Sequence, residues 1–176
     1  MGEPGEPSGK EEALWHFSLT FYALPGVADA LITLQDRRGL DVNLVLFALW
    51  LGISGRGALD RDLLAKAERA TGTLRSEIVE PLRRLRRNLR HQPDGEVQQL
   101  REGVKALELA GEKLVQARLA RLTVPARRGV PLEDRLAAAR ANLTLYLGPQ
   151  GELAGQEVGI IPDALDAFAR SGDRTD

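Results

Sequence analysis

Cysteine is absent from the 176 residues, which removes disulfides, thiolate metal sites and cysteine nucleophiles together. Histidine is nearly as scarce. His16 and His91 are too few for a histidine-built metal site unless carboxylates complete it. No metal and no cofactor is expected. An excess of either charge is lacking as well: 24 basic residues stand against 25 acidic ones, for a formal net charge of −1. No overall field therefore draws the chain to nucleic acid or anionic lipid, and any such affinity needs a local patch. Phosphate-binding glycine loops, G-x-S-x-G elbows and H-E-x-x-H pairs are also missing. No stretch alternates with period two for long enough to require a strand, and no internal repeat is found.

Long hydrophobic runs are lacking too, with one near exception. In "LQDRRGLDVNLVLFALWLG", residues 34–52, the chain is apolar from Val42 to Leu51 apart from Asn43. That is about ten residues, against the ~20 needed to cross a bilayer. A helix apolar on every side yet too short to span belongs in the middle of a core, so no membrane span is expected. The opening "MGEPGEPSGK" carries acid in place of a basic signal-peptide start. Glu6 stands where a myristoylation motif wants Ser or Thr. Residues 1–10 are read as a disordered leader, 11–170 as a single helical domain and 171–176 as a disordered tail, in a cytoplasmic protein.

What is present is helical punctuation. "SGKE", from Ser8 to Glu11, has capping-box spacing and opens a helix in which Leu14, Phe17, Phe21 and Leu24 share a face. Pro25 ends it. A second helix runs from Pro25-Gly26 to Arg38, closed by Gly39 in a left-handed C-terminal cap. Asp41 sits where an N-cap belongs, before the buried third helix. Asp60 caps a short fourth helix that Gly72 closes, and Thr73 opens a fifth in which Pro81 introduces a kink or a fresh start. After the break at "HQPDGE", a long helix covers about 96–122. Its residues Val97, Leu100, Val104, Leu107, Gly111 and Leu114 form a narrow seam for an antiparallel neighbour, with Gly103 and Gly111 weakening the helix or admitting close approach. Pro131 opens a seventh helix that ends at Gly148. "PQGELAGQEVG" is read as irregular, and "IIPDALDAFAR" as a short terminal helix. The fold class is all-α: a single-domain bundle of six to eight helices around a buried central hydrophobic one.

Three groups of residues are candidates for function. In "EPLRRLRRNLRH" the leucines share one side, Arg83, Arg84, Arg87 and Arg90 fan over the rest, and Arg86 borders the leucines. Such an array either grips a partner's carboxylates or phosphates or is a solvated face that Glu80 neutralises from three and four residues upstream. No aromatic side chain is interleaved for base stacking, so nucleic acid is an unfavoured partner. Asn43, a polar residue in an apolar helix, either helps to cap its own helix or faces Gln35, Asp36 or Arg37 across the Gly39 turn. In the second case Asp36, Asp41 and Asn43 make a polar pocket. Finally, "LWHFSLTFY" holds Trp15, Phe17, Phe21 and Tyr22, half of the chain's aromatic residues, with His16 among them. A stripe of this kind is either core or, through Trp15, His16 and Tyr22, part of a ligand site. No Ser or Asp partner for His16 is readable from spacing, so no catalytic residue is assigned.

The segment from Leu14 to Ser54 resembles a proteobacterial family of small helical proteins, a domain of unknown function. Trp15 and Phe17 are followed by Tyr22, Pro25, Gly26 and Val27. Leu34, Gln35 and Asp36 come next, then Gly39, Asp41, Val42, Asn43, Leu44 and finally Trp50. Members often carry a cysteine in the second helix where this chain has Leu31. The resemblance implies a bacterial, cytoplasmic, all-α protein and carries no activity. The expected function is a non-enzymatic interaction module that binds another protein or itself. The alternative is a ligand-binding or catalytic site around Asp36, Asp41 and Asn43.

Overall fold

The computed structural model describes residues 9–148 and 155–172, and the fold is an all-α bundle. Most of the expected leader, Ser8 included, and residues 173–176 of the expected tail lie outside the described residues. Among the described residues no strand occurs, and no single helix is long and apolar enough to cross a membrane.

Helix α1 spans Gly9–Tyr22 and α2 Val27–Arg38, bent by 100° across the break at Pro25-Gly26. Gly26 adopts φ +78° at the start of α2 and Gly39 φ +66° at its end, the backbone geometry anticipated for Gly39. The Asp41 carboxylate then accepts the Asn43 N–H at 2.9 Å, opening α3, Val42–Ile53. From Asn43 to Ile53 every residue of α3 is buried, as its unbroken apolarity demands. Its neighbours are α1, α2, α6 (Gly95–Arg121) and, most closely, α7 (Leu132–Leu147). The last helix, α8 (Gly155–Gly172), packs on α2 and sets the Phe168 ring edge-on to Phe17 and Phe21.

The middle of the chain departs from expectation. Gly72 does not close α4, which starts at the Asp60 cap and runs Arg61–Leu74. It continues through a π-helical turn, Arg75–Val79, into α5, Glu80–Leu89. Thr71 explains part of this, because its hydroxyl donates back to the Ala67 carbonyl and leaves the backbone helical. Pro81 explains the rest. Its ring would crowd the carbonyl four residues back, and that residue, Glu77, lies in the wider π turn. The rod from Arg61 to Leu89 pairs antiparallel with α6. Gly111 admits a close approach, since a Cβ there would meet Val79 at 3.1 Å.

The expected α6 seam is split. Val104 and Gly111 are buried, whereas Leu100, Leu107 and Leu114 stand on the outer flank, 59%, 61% and 43% exposed. A three-four alternation describes a stripe wider than one neighbour covers, and α5 covers only its inner edge.

Candidate functional site

Two adjoining clefts open where α1, α2, α5 and α6 meet. The larger, of about 450 Å³, has an apolar rim of Trp15, Leu19 and Tyr22 from α1, Ile32 from α2 and Leu109 from α6. Leu19, Ile32 and Leu109 are between 41% and 48% exposed, so the rim is a real apolar surface and not a set of covered edges. The smaller cleft, about 210 Å³, is bounded by Gly39, Asp41, Arg75 and Arg84. Gln35, Asn43, Arg83 and Arg87 line both.

The arginines part company here. Arg83 turns inward, donating to Gln35 at 2.5 Å, Glu108 at 3.1 Å and Glu112 at 2.7 Å. Arg86 joins it on Glu108 through two of its nitrogens. Arg87 bonds both carboxylate oxygens of Asp36, at 2.9 and 3.2 Å, tying α5 to α2. Arg84 and Arg90 are exposed and make no ion pair among the described residues. Glu80 does not neutralise Arg83 or Arg84, because it lies 3.3 Å from Arg75. The face read as solvated is therefore half spent on internal carboxylates from α6, four residues apart on one side of that helix.

Burial pulls the Glu108 carboxyl upward, but hydrogen bonds from Arg86 and Arg83 outweigh it and hold its pKa below the usual carboxylate value. At Glu112, with one guanidinium, burial wins and the pKa is raised. The Arg87 hydrogen bonds lower that of exposed Asp36. Burial, then the charge of Glu112, raises that of Tyr22.

Asn43 does not cap its own helix with its side chain. Its backbone N–H is the group that Asp41 caps, while its Oδ1 accepts from Gln116 Nε2 of α6 at 3.0 Å, both residues being buried. Gln116 and Ser18 line the larger cleft, while their Oε1 and Oγ atoms are fully buried and have no hydrogen-bond partner. Asp41 is fully occupied: besides the cap, its carboxylate lies 3.4 Å from Arg75 and its N–H donates to the Tyr146 hydroxyl at 2.8 Å. Burial raises the pKa of that phenol.

The structure thus brings Trp15, Tyr22, Asn43, Arg83, Arg86 and Arg87 to one cleft and puts Asp41 and Arg84 in the next. Asp36 sits outside both, held by Arg87. His16 is exposed and lines neither. Asp36 and Asp41 do not converge, and among the described residues no three His, Asp or Glu side chains gather as a metal site requires. The sequence reading missed Ser18, Leu19, Ile32, Glu108, Leu109, Glu112 and Gln116. A signal for three of them exists: Glu108, Glu112 and Gln116 recur every four residues beside the α6 seam, a polar line on a flank that a neighbouring arginine helix would face.

Two stability changes follow from these bonds. Asp41→Ala is expected to cost about 1 kcal/mol through loss of the cap. Asn43→Ala strands the Gln116 amide and is expected to cost ~1–3 kcal/mol, whereas Asn43→Leu combined with Gln116→Leu, which removes both partners, comes out milder than either single change. Urea unfolding of the set checks both, and additive single and double effects would contradict the Asn43–Gln116 coupling.

The model of a family described as a protein of unknown function (DUF2390) matches residues 13–119. That segment runs from α1 to within two residues of the end of α6 and contains every residue of both clefts. No curated protein and no solved structure matches the chain.

Proposed function

The chain belongs to the DUF2390 family of proteins of unknown function, and from that premise we propose that it is a non-enzymatic interaction module whose larger cleft receives an amphipathic segment of a partner protein. The observation that carries this is the pairing of an exposed apolar rim with a floor of arginine, carboxylate and amide side chains. Exposed apolar surface rimmed by polar groups marks sites of association. A segment that lays leucines or aromatics on Trp15, Leu19, Ile32 and Leu109 and turns polar groups toward the charged floor matches both halves. Catalysis is a poorer reading. The cleft carboxylates Glu108 and Glu112 are bound to guanidinium groups, Asp41 caps a helix, and His16 lies outside. Nucleic acid is poorer still, since the arginine array leaves only Arg84 and Arg90 uncommitted among the five.

The test is a photo-crosslinking amino acid placed in living cells at Ile32, on the rim, and as a control at Leu145, exposed on α7 outside the family segment. A discrete protein adduct from position 32, absent from 145 and lost with Leu109→Asp, is the expected result. A small molecule retained by the purified chain in native mass spectrometry and lost with the same substitution would replace this reading with the ligand-binding alternative.

A further inference from the structure

On the flank of α6 turned away from the cleft, Leu100, Leu107 and Leu114 recur every seven residues and are all exposed, the first two among the most exposed large apolar side chains described. Between them, also every seven residues, stand Gly103, Ala110 and Ala117. At about 100° per residue these six share one face, and from Leu100 to Ala117 it carries no charged side chain over some 26 Å of helix. A Cβ on Gly103 would meet nothing within 4 Å. The arginine–carboxylate contacts lie on the opposite flank, and Lys113, which borders the seam beside Ala110 and Ala117, turns its ammonium away from it over the Trp15 ring. This is a coiled-coil seam without a partner.

We infer that a second copy of the chain covers it, the two α6 helices packing antiparallel. The seam is complementary to itself in that direction only. Set Leu107 against the partner's Ala110, and Leu100 falls on the partner's Ala117 while Leu114 falls on the partner's Gly103. The same contacts repeat across the two-fold axis, as an isologous interface requires. Every layer then pairs one large residue with one small one, which lets the axes approach closely and leaves no void. A parallel pair would stack leucine on leucine and glycine on glycine. Charge agrees. One register step beyond each end, Glu96 meets the partner's Arg121, whose guanidinium already bonds Glu11 yet remains more than half exposed. A parallel pair would oppose glutamate to glutamate. Ile78 and Leu85 of the α4–α5 rod, 46% and 44% exposed, lie level with Leu114 and Leu107 in the antiparallel hairpin and widen the apolar surface. Stretches 1–8, 149–154 and 173–176 bring only Met1 and Leu153 as large apolar side chains, prolines aside.

Sedimentation equilibrium of the full chain at tens of micromolar is expected to show a dimer. Ala110→Glu should leave a folded monomer, because position 110 is exposed in the single chain. Orientation is read by oxidation, which the absence of native cysteine makes clean. A mixture of Gly103→Cys and Leu114→Cys chains should form a disulfide-linked pair. Either chain alone should not, since like positions lie about 16 Å apart along antiparallel helices. A monomer at these concentrations, or a dimer that survives Ala110→Glu, would overturn the inference. Self-linking of Gly103→Cys alone would overturn the antiparallel arrangement. Adducts formed from position 32 stay unchanged in Ala110→Glu, so this surface and the cleft fail or stand separately.

Discussion

Gly52→Ala is expected to be the most damaging glycine-to-alanine change among the described residues. Gly52 lies in the last turn of α3, where the helix crosses α7. A Cβ built there sits 2.2 Å from the Ala139 backbone nitrogen and 2.3 Å from its Cα. No rotamer change relieves a clash with backbone, so α7 must move off the helix at the centre of the core. Overpacking costs ~1–3 kcal/mol where side chains can yield. With backbone on the receiving side, a loss of about 3 kcal/mol or more is expected, a large share of the 5–15 kcal/mol typical of a domain. Gly72→Ala is the matched control. Gly72 is also helical and nothing lies within 4 Å of the added methyl, so a gain of about 0.5–1 kcal/mol is expected from helix propensity alone. Denaturant midpoints of the two variants should move in opposite directions. A Gly52→Ala protein as stable as the parent would mean that α3 and α7 do not touch as described.

The second large effect concerns the arginine pair. Arg83→Met together with Arg86→Met keeps the bulk of both stems but leaves Glu108, 5% exposed, with neither of its cations. Stripping both partners from a buried charge costs ~3–5 kcal/mol at neutral pH. The pH dependence then changes sign. In the parent the Glu108 pKa is lowered by folding, so its contribution is present above the unfolded value of about 4.3 and lost as pH falls through the folded value. In the double variant only burial remains, which raises the folded pKa, and acid should restore part of the lost stability by protonating Glu108. Urea titrations of parent and variant at neutral and acid pH should therefore converge. Parallel stability curves would show that Glu108 is not the coupled group.

How far the sequence reveals this arrangement depends on what kind of information each residue carries. The buried α3 is legible because eleven consecutive residues leave no polar face to turn outward. The caps at Asp41 and Asp60 and the left-handed Gly39 are legible because their chemistry is local. The arginine helix is not. Spacing shows that Arg83 and Arg87 leave the leucine side, but which carboxylates they meet is decided by α6 for the first and α2 for the second, each more than twenty residues away. The same limit hides the cleft, since Tyr22 and Leu109 meet across four helices' worth of chain. Gly72 misleads for a different reason. A glycine signals a helix end only where φ turns positive, and here the hydrogen bonds of Thr71 and the π turn carry the helix past it.

The two tryptophans give the molecule an optical consequence. Trp50 is 3% exposed in α3 with the Arg56 guanidinium 4.5 Å above its ring, while Trp15 sits half-buried on the cleft rim beneath Lys113. Emission from the first reports the packing of the core and from the second the water above the cleft. Replacing Trp50 by Phe leaves Trp15 as the single tryptophan, read by excitation at wavelengths the tyrosines do not absorb, at the surface that matters for binding. A blue shift of its spectrum on adding any candidate segment then registers occupancy directly, without a label.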